Sequence, residues 1–320
     1  MRRRRAIATA LILCCTAAVA QEGTLLERFY HRASVDTSYV VRPTTRWTLK
    51  GRFLLSHNNL TTNGLHNGAT IATGINGGYS PKASLSASYL GLTVNASVNP
   101  AKLLGRESDY ALGLRCYGRR VGAEFSAQVN QQPEVWFRRG DDEEVPLALS
   151  GSMQVHMVMN AYYIFNARRF SYPAAFTQSY IQRRSCGSLL AGATIEGLYL
   201  TLGDSTIGEP HYNYSYIKLG LGLGYGYNYV PADGWLLHLS ALPSLIINSR
   251  QRYVDNGTDQ ELTSRRAEFA IVGRGAVVYS FGRTFVGLNH VFNFTNTNAR
   301  GEMGIISTRW QLTAFVGVRL

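Results

Sequence analysis

Few residues of this 320-residue chain have the types and spacing that covalent chemistry needs. A serine nucleophile requires an imidazole within hydrogen-bond reach and an acid or amide to orient it. His238 with Ser240, and His156 with Asn160, are the candidates; the even spacing within each pair puts both members on one face of an extended strand. A hydrogen-bonded filler is the plainer role for an isolated histidine. Metal chemistry has less to build on, because the seven histidines are scattered and Cys116 and Cys186 form no ligand spacing. Asp141, Asp142, Glu143 and Glu144 offer oxygens to calcium, yet such a run is more often a solvated loop tip. The stretch GLGLGYGY has the glycines of a phosphate loop, but it alternates with apolar residues and opens no helix. No metal, cofactor or catalytic residue is therefore expected.

The elements that must position these side chains are strands. Four consecutive arginines at 2–5 precede an apolar run that ends in Ala18-Val19-Ala20, which marks residues 1–20 as a secretory signal peptide. Cys14 and Cys15 look like a lipoprotein site, but Leu13 stands where lipid attachment needs a small residue. Cleavage after Ala20 removes four arginines and no acid, taking the net charge from +12 to +8. After the signal no stretch approaches the ~18 apolar residues of a membrane helix. With 32 glycines, 19 tyrosines and 16% charged residues, the composition fits a β protein whose hydrophobicity is diluted by alternation. A soluble sandwich would show less apolar outer faces. Export and the lack of a helical recognition motif argue against nucleic acid as the partner of the basic charge. Cys116 and Cys186 outlast processing and are expected as two buried free thiols on non-adjacent strands.

Residues 21–45 read as a periplasmic arm or a small plug, with helical spacing at Leu25, Leu26, Phe29 and Tyr30 followed by the extended stretch DTSYVVRP. Over 46–320 period 2 dominates. Trp47, Leu49, Phe53 and Leu55 oppose Lys50, Arg52 and Ser56; Ile217, Leu219, Leu221 and Leu223 oppose Lys218 and the glycines that follow it. The expected fold is all-β, a closed antiparallel transmembrane β-barrel of about twelve strands, within a range of about ten to fourteen. HNNLTTNGLHNG reads as a loop, Ser80-Pro81-Lys82 as a turn, and 83–98 as one long strand bulged near Gly91, a tight hairpin there being the alternative. Connections after even strands are short and those after odd strands long and polar. That places short turns in the periplasm, longer loops outside, and both termini on the periplasmic side. Many such barrels end on an aromatic residue read by the assembly machinery; here the last residue is Leu320.

Inward positions hold Lys50, Arg52, Arg115, Lys218, Arg266, Arg274, Arg309 and Arg319 against Glu124, Glu196 and Glu268. This excess reads either as an anion-biased pore or as a ladder of ion pairs that fills a closed lumen.

One connection breaks the pattern. Where a short turn is due, FNARRFSYPAAFTQSYIQRRSCGS occupies residues 165–188, with Arg168, Arg169, Phe170, Tyr172, Pro173, Gln182, Arg183 and Arg184 as candidate functional residues. FSYPAAF is expected to fold against the barrel mouth or into the lumen, where the glycines between 220 and 226 leave room. Its arginines would meet Glu196, Glu268 or the carboxylate of Leu320; a long periplasmic hairpin is the alternative. This stretch, with DTSYV at 36–40, NPAKL at 99–103 and GYGYNYVPADGWLLHLSALPSL at 224–245, resembles the domain of unknown function 4421 family, outer-membrane barrels of Gram-negative anaerobes. The likeness covers nearly all of the mature chain. It implies an outer-membrane location and brings no activity, cofactor or catalytic residue; Cys186 stands where a small residue is expected.

The function expected is that of a non-enzymatic outer-membrane barrel, either a small-solute channel or a structural and docking barrel. The alternative is an acyl hydrolase of the outer-membrane phospholipase kind. Expected partners are outer-membrane lipid, lipopolysaccharide with its phosphates near Arg138, Arg139, Arg250 and Arg252, the barrel-assembly machinery, and a periplasmic protein at 165–188.

Overall fold

The computed structural model describes residues 35–66, 69–105, 107–140, 142–147, 150–203, 212–255, 258–263, 268–299 and 303–320. The signal segment, the helical spacing at 25–30, Asp141 and Arg266 lie outside them.

Period-2 alternation becomes strands almost throughout. In chain order they are β1 (Val40–Val41), β2 (Trp47–His66), β3 (Ala69–Tyr89), β4 (Leu92–Val98), β5 (Asp109–Tyr117), β6 (Val121–Gln131), β7 (Glu134–Arg139), β8 (Val145–Leu147), β9 (Met153–Ile164), β10 (Ile181–Gln182), β11 (Cys186–Leu202), β12 (Tyr212–Tyr229), β13 (Trp235–Asp255), β14 (Thr258–Thr263), β15 (Glu268–Phe281), β16 (Thr284–Ala299) and β17 (Met303–Arg319). Two short helices, α1 (Pro100–Leu104) and α2 (Tyr172–Phe176), sit in connections. Twelve of these strands, counted among the described residues, form one antiparallel ring; β7, β8 and β14 extend it at one end, and β1 pairs with β10 apart from it. Pairing of β17 with β2, from Met303 opposite Gly64 to Arg319 opposite Thr48, closes the ring. Closure matters because an open edge in lipid leaves backbone groups that nothing can satisfy.

The two faces differ as the alternation demands. Thr48, Lys50, Ser84, Ser86, Lys218 and Arg274 point inward and are buried, while Leu49, Phe53, Leu85, Leu221, Leu223 and Leu239 are exposed on the outside. Aromatic rings bracket this apolar band. Trp47 with Tyr89 and Trp235 with Tyr279, each pair 4.8 Å between centroids, mark one margin. His57, Tyr79 and Trp310 mark the other, Tyr79 and Trp310 being 6.0 Å apart. The stretch from Trp47 to His57 matches the ~9–11 residues with which a tilted strand crosses a bilayer. The turns at 90–91, 118–120, 230–234 and 282–283 all fall at the Trp47 end, where the Trp47 amide donates to the Leu320 carbonyl at 3.0 Å. We call it the turn end and the opposite one the loop end.

The number of strands agrees with the sequence reading, but the division differs. Ser80-Pro81-Lys82 is no turn, because β3 runs through it. Residues 77–82 lie between the last pair with β7, at Asn76, and the last with β4, at Ala83, so β2 is their one neighbour. Proline, with no N–H to give, is tolerated at such a local edge. Reversal comes instead at Leu90 and Gly91, both at positive φ (47° and 87°), a two-residue hairpin whose twist matches its strands. The alternative of a hairpin there is the right one, and the bulge is absent. One break lost and one gained leave the total unchanged. The loop expected at 57–68 is strand as far as His66, β7 and β8 lie between β6 and β9, and β14 follows β13. Cys116 and Cys186 are free thiols, half-buried rather than buried.

Candidate functional site

The connection between β9 and β11 enters the lumen from the turn end. Its local structure follows from its sequence. The Ser171 hydroxyl accepts from the Ala174 amide at 3.3 Å, and Pro173 sits in the first turn of α2, where its missing N–H costs nothing. Thr177 ends the helix by donating to the Pro173 carbonyl, and Gln178 follows at φ 56°. Gln182 then ties the ends together. Its amide nitrogen donates to the carbonyls of Arg169 (2.6 Å) and Arg184 (2.9 Å), while its oxygen accepts from the Ser171 amide (2.9 Å) and from Asn228 Nδ2 (3.0 Å). Phe170, Tyr172, Ala175, Phe176 and Gln178 are all at most 3% exposed, so this is a plug rather than a loop.

An arm at the start of the barrel secures the plug. Val40 and Val41 pair with Gln182 and Ile181, the Asp36 amide donates to the Arg168 carbonyl at 2.9 Å, and the Arg183 amide donates to the Tyr39 carbonyl at 2.7 Å. Arg169 Nε lies 3.2 Å from Asp36 Oδ2, and the guanidinium of Arg169 stacks 5.0 Å from the Tyr39 ring. The Ser38 hydroxyl, 2.6 Å from Asp36 Oδ1, is the main cause that holds the Asp36 carboxyl below its usual range, against an opposing desolvation; the Ser38 amide and Arg169 add to it. A depressed carboxylate favours the folded form above its unfolded pKa and loses that contribution as pH falls through the depressed value. The arm is therefore expected to loosen from the plug below pH 3.8 and not above it, read as pepsin cleavage around Tyr39 that is slower than in Asp36→Asn above that pH and catches up with the variant as pH falls.

The barrel wall supplies the seat. Lys50 Nζ donates to the Phe176 carbonyl (3.2 Å) and to Gln178 Oε1 (2.5 Å), and Arg319 Nε donates to the Gln178 carbonyl (3.0 Å). Asn228 Nδ2 also donates to the Ser171 carbonyl at 2.9 Å. Asn228 Oδ1 lies 2.7 Å from His238 Nδ1, and His238 Nε2 lies 3.0 Å from Ser240 Oγ. These are the distances of an amide–imidazole–hydroxyl triad. Ser240, however, is 5% exposed beneath the Tyr172 hydroxyl at 3.5 Å, and the rings of Phe170, Tyr172 and Phe176 surround His238. His156 and Asn160, the other sequence pair, also face inward but serve elsewhere.

Above the plug the lumen is filled by ion pairs. Arg274 grips Glu124 through two nitrogens, at 2.9 and 2.5 Å, and also donates to the Tyr162 hydroxyl; Arg115 Nε is 3.5 Å from Glu124, and the Tyr117 hydroxyl donates to the same carboxylate. Farther on, Arg309 Nη1 is 2.7 Å from His156 Nδ1, and His156 Nε2 is 2.8 Å from Glu196 Oε1. Arginine only donates, so Nδ1 accepts and Nε2 carries the proton toward Glu196. Lys218, Glu196 and His156 line a cavity of about 30 Å³, room for one water. Nearer the loop end Lys82 pairs with Asp109 at 2.6 Å, both fully buried. Leu60, Ile75, Leu198, Leu200, Tyr216 and Ile305 then form an apolar cluster within the ring.

The candidate residues thus divide. Phe170, Tyr172, Pro173 and Gln182 are brought together in the lumen. Arg168, Arg169, Arg183 and Arg184 stay exposed at the turn end, away from the acids expected to meet them: Glu196 binds His156 and Tyr216, and the acid that meets Arg169 is Asp36. Of the expected glycine room, Gly226 serves the plug, a Cβ there falling 3.1 Å from Phe170 Cζ, whereas Gly222 and Gly224 admit the close approach of β13. Arg52, Lys218, Glu268 and Arg309 point inward as expected. Sequence reasoning missed Lys82 and Asp109, because a false turn hid the inward phase of β3. It also missed Gln178 and Asn228, which no motif marks.

The fold and site together define a plugged β-barrel of the membrane-spanning class. The chain matches the domain of unknown function family DUF4421 over residues 34–320 and belongs to that family. No curated protein matches it. Solved structures to which it is similar include the outer membrane protease OmpT of Escherichia coli (11% identity, 87% of this chain and 98% of that one, TM-score 0.42). The translocator domain of the autotransporter NalP from Neisseria meningitidis gives 12% identity, 97% and 98% coverage and a TM-score of 0.33. The toluene transporter TodX of P. putida gives 8%, 87% and 91%, and 0.30. Similarity at that level carries no argument about function.

Proposed function

We propose that the protein is a non-enzymatic outer-membrane barrel, closed at rest, whose plug and arm form a structural and docking element at the periplasmic side. The observation that carries this reading is the seating of 170–182 inside the lumen, bonded at once to the wall by Lys50, Asn228 and Arg319 and to the arm by β1. The charge ladder speaks against a free anion pore, since Arg115 and Arg274 are engaged with Glu124, Arg309 with His156, and Lys50 and Arg319 with the plug. Asn-His-Ser distances favour acyl hydrolysis as a second reading, against which stands the packing of Ser240 beneath the plug. Arg138 and Arg139 on β7 and Arg250 and Arg252 on β13 stand at the loop end, where lipopolysaccharide phosphates would meet them.

Purified protein in planar bilayers is expected to give a closed trace, and cross-linking through 165–188 to recover a periplasmic protein. Steady anion-selective conductance from the wild type would overturn the closed-barrel reading. Ester hydrolysis lost in Ser240→Ala would replace it by the enzymatic one.

A further inference from the structure

Of the histidine side chains described, His156 and His238 face the lumen, and His57, at the loop-end margin, has its Nδ1 3.3 Å from the Gly78 carbonyl. His290 does neither. It stands on β16 in the outward row Val286, Leu288, His290, Phe292, exposed and with no hydrogen bond to any described residue. The register fixes its depth. Val286 is paired with Tyr279 of the turn-end margin and Phe292 with Trp310 of the loop-end margin, so His290 lies inside the apolar band. Acyl chains offer an imidazole neither donor nor acceptor, and an ionisable side chain at that depth calls for a partner.

The wall around His290 is shaped to receive one. Gly275 is paired with it on β15, and beside the two opens a hollow of about 480 Å³ whose lining includes Leu239, Leu288 and Leu312. A second hollow, of about 560 Å³, shares Val277 and Leu288 with the first. The barrel itself does not demand glycine at 275, since a Cβ there would meet nothing nearer than 3.8 Å. The missing side chain leaves room on the outside. Copies of one chain insert into a membrane the same way round, so a two-fold axis between two of them runs along the membrane normal and returns every residue to its own depth. A neutral imidazole holds one donor and one acceptor nitrogen, which makes it complementary to itself. A foreign partner would have to supply a polar group at this depth; a second copy already has one.

We propose that two copies of the chain pair through this face of the barrel, the two His290 imidazoles hydrogen-bonded to each other at the two-fold axis. This rests on the reading of the chain as an outer-membrane barrel. The test is energy transfer between donor- and acceptor-labelled full chains in phosphatidylcholine vesicles as the ratio of protein to lipid falls. Wild type is expected to pair. His290→Leu is expected to weaken pairing about tenfold, in the range for one hydrogen bond inside a membrane, while His290→Gln, which keeps a donor and an acceptor, pairs as wild type does. In a Cys116→Ser/Cys186→Ser background, His290→Cys oxidised by copper phenanthroline is expected to give a disulfide-linked dimer. Phe125→Cys, also outward but six strands away around the ring, is expected to stay monomeric. Wild type monomeric at every ratio, His290→Leu pairing as strongly as wild type, or disulfides forming as fast at 125 as at 290 would each overturn the proposal. Should His290→Leu fail to insert, the two cysteine variants carry the comparison. Circular dichroism and heat-dependent gel migration of wild type in the same vesicles report insertion as a barrel. An inserted chain that stays monomeric defeats the pairing alone; a chain that does not insert defeats the barrel reading beneath it.

Discussion

Arg274→Leu is expected to destabilise the barrel by about 3 kcal/mol, the low end of the range for breaking a buried ion pair. The reason lies in what remains. Glu124 would keep Arg115 at 3.5 Å and the Tyr117 hydroxyl, but lose the two-nitrogen grip of Arg274 at 2.9 and 2.5 Å. Arg274 is 4% exposed, so bulk solvent is held away from the pair. The same change removes the guanidinium stacked 5.0 Å from Tyr162 and 5.6 Å from Phe176, so the plug loses a packing surface as well. A urea-unfolding series in detergent measures the loss. Arg274→Leu/Glu124→Leu is expected to recover most of it, since most of the cost is that of an uncompensated charge, and only the packing against Tyr162 and Phe176 stays lost. A single variant within ~0.5 kcal/mol of wild type, the ordinary range for surface substitutions, would show that the pair is solvated and the lumen wet.

The second large effect concerns opening rather than unfolding. In Lys50→Ala/Arg319→Ala the plug loses three charge-assisted hydrogen bonds, those to the Phe176 carbonyl, to Gln178 Oε1 and to the Gln178 carbonyl. At ~1.5–3 kcal/mol for a hydrogen bond to a charged group, even a loss of about 3 kcal/mol raises the unseated population by more than a hundredfold. Conductance bursts in planar bilayers and trypsin cleavage after Arg183 should rise together, with barrel strands intact by circular dichroism. The barrel wall is unaffected because neither residue is needed for a ladder bond. A double variant as closed and as resistant as wild type would show that Asn228, Gln182 and the aromatic packing hold the plug by themselves.

Much of this architecture could be read from the chain because a membrane barrel must declare its two faces residue by residue. Lys50 against Leu49, or Lys218 against Ile217, tells inside from outside with no knowledge of neighbours. Turn chemistry was less legible. Pro81 punctuates the sequence like a turn but sits where β3 lacks one neighbour, whereas Leu90, a residue rarely found at positive φ, carries the actual reversal. The plug announced itself by length alone, about twenty residues where two suffice. Its partners stayed hidden because they depend on the register of the ring. Lys50 and Arg319 stand on β2 and β17 at the closing seam, and Asn228 reaches His238 because the turn at 230–234 sets them opposite one another. The pair His238 and Ser240 was visible by spacing. That a plug covers it was not.

The two-residue ladder between β1 and β10 has a mechanical meaning. Tension arriving along the chain at Val35 meets Val40 and Val41 before it meets the first barrel strand, and those residues are bonded to the plug at Gln182 and Ile181. Wall and stopper are therefore in series, with the stopper nearer the load. A pull on the arm strains a handful of hydrogen bonds, while the ring behind it shares the same force over whole strands. The arm is a pull-cord, and what it would draw first is the plug.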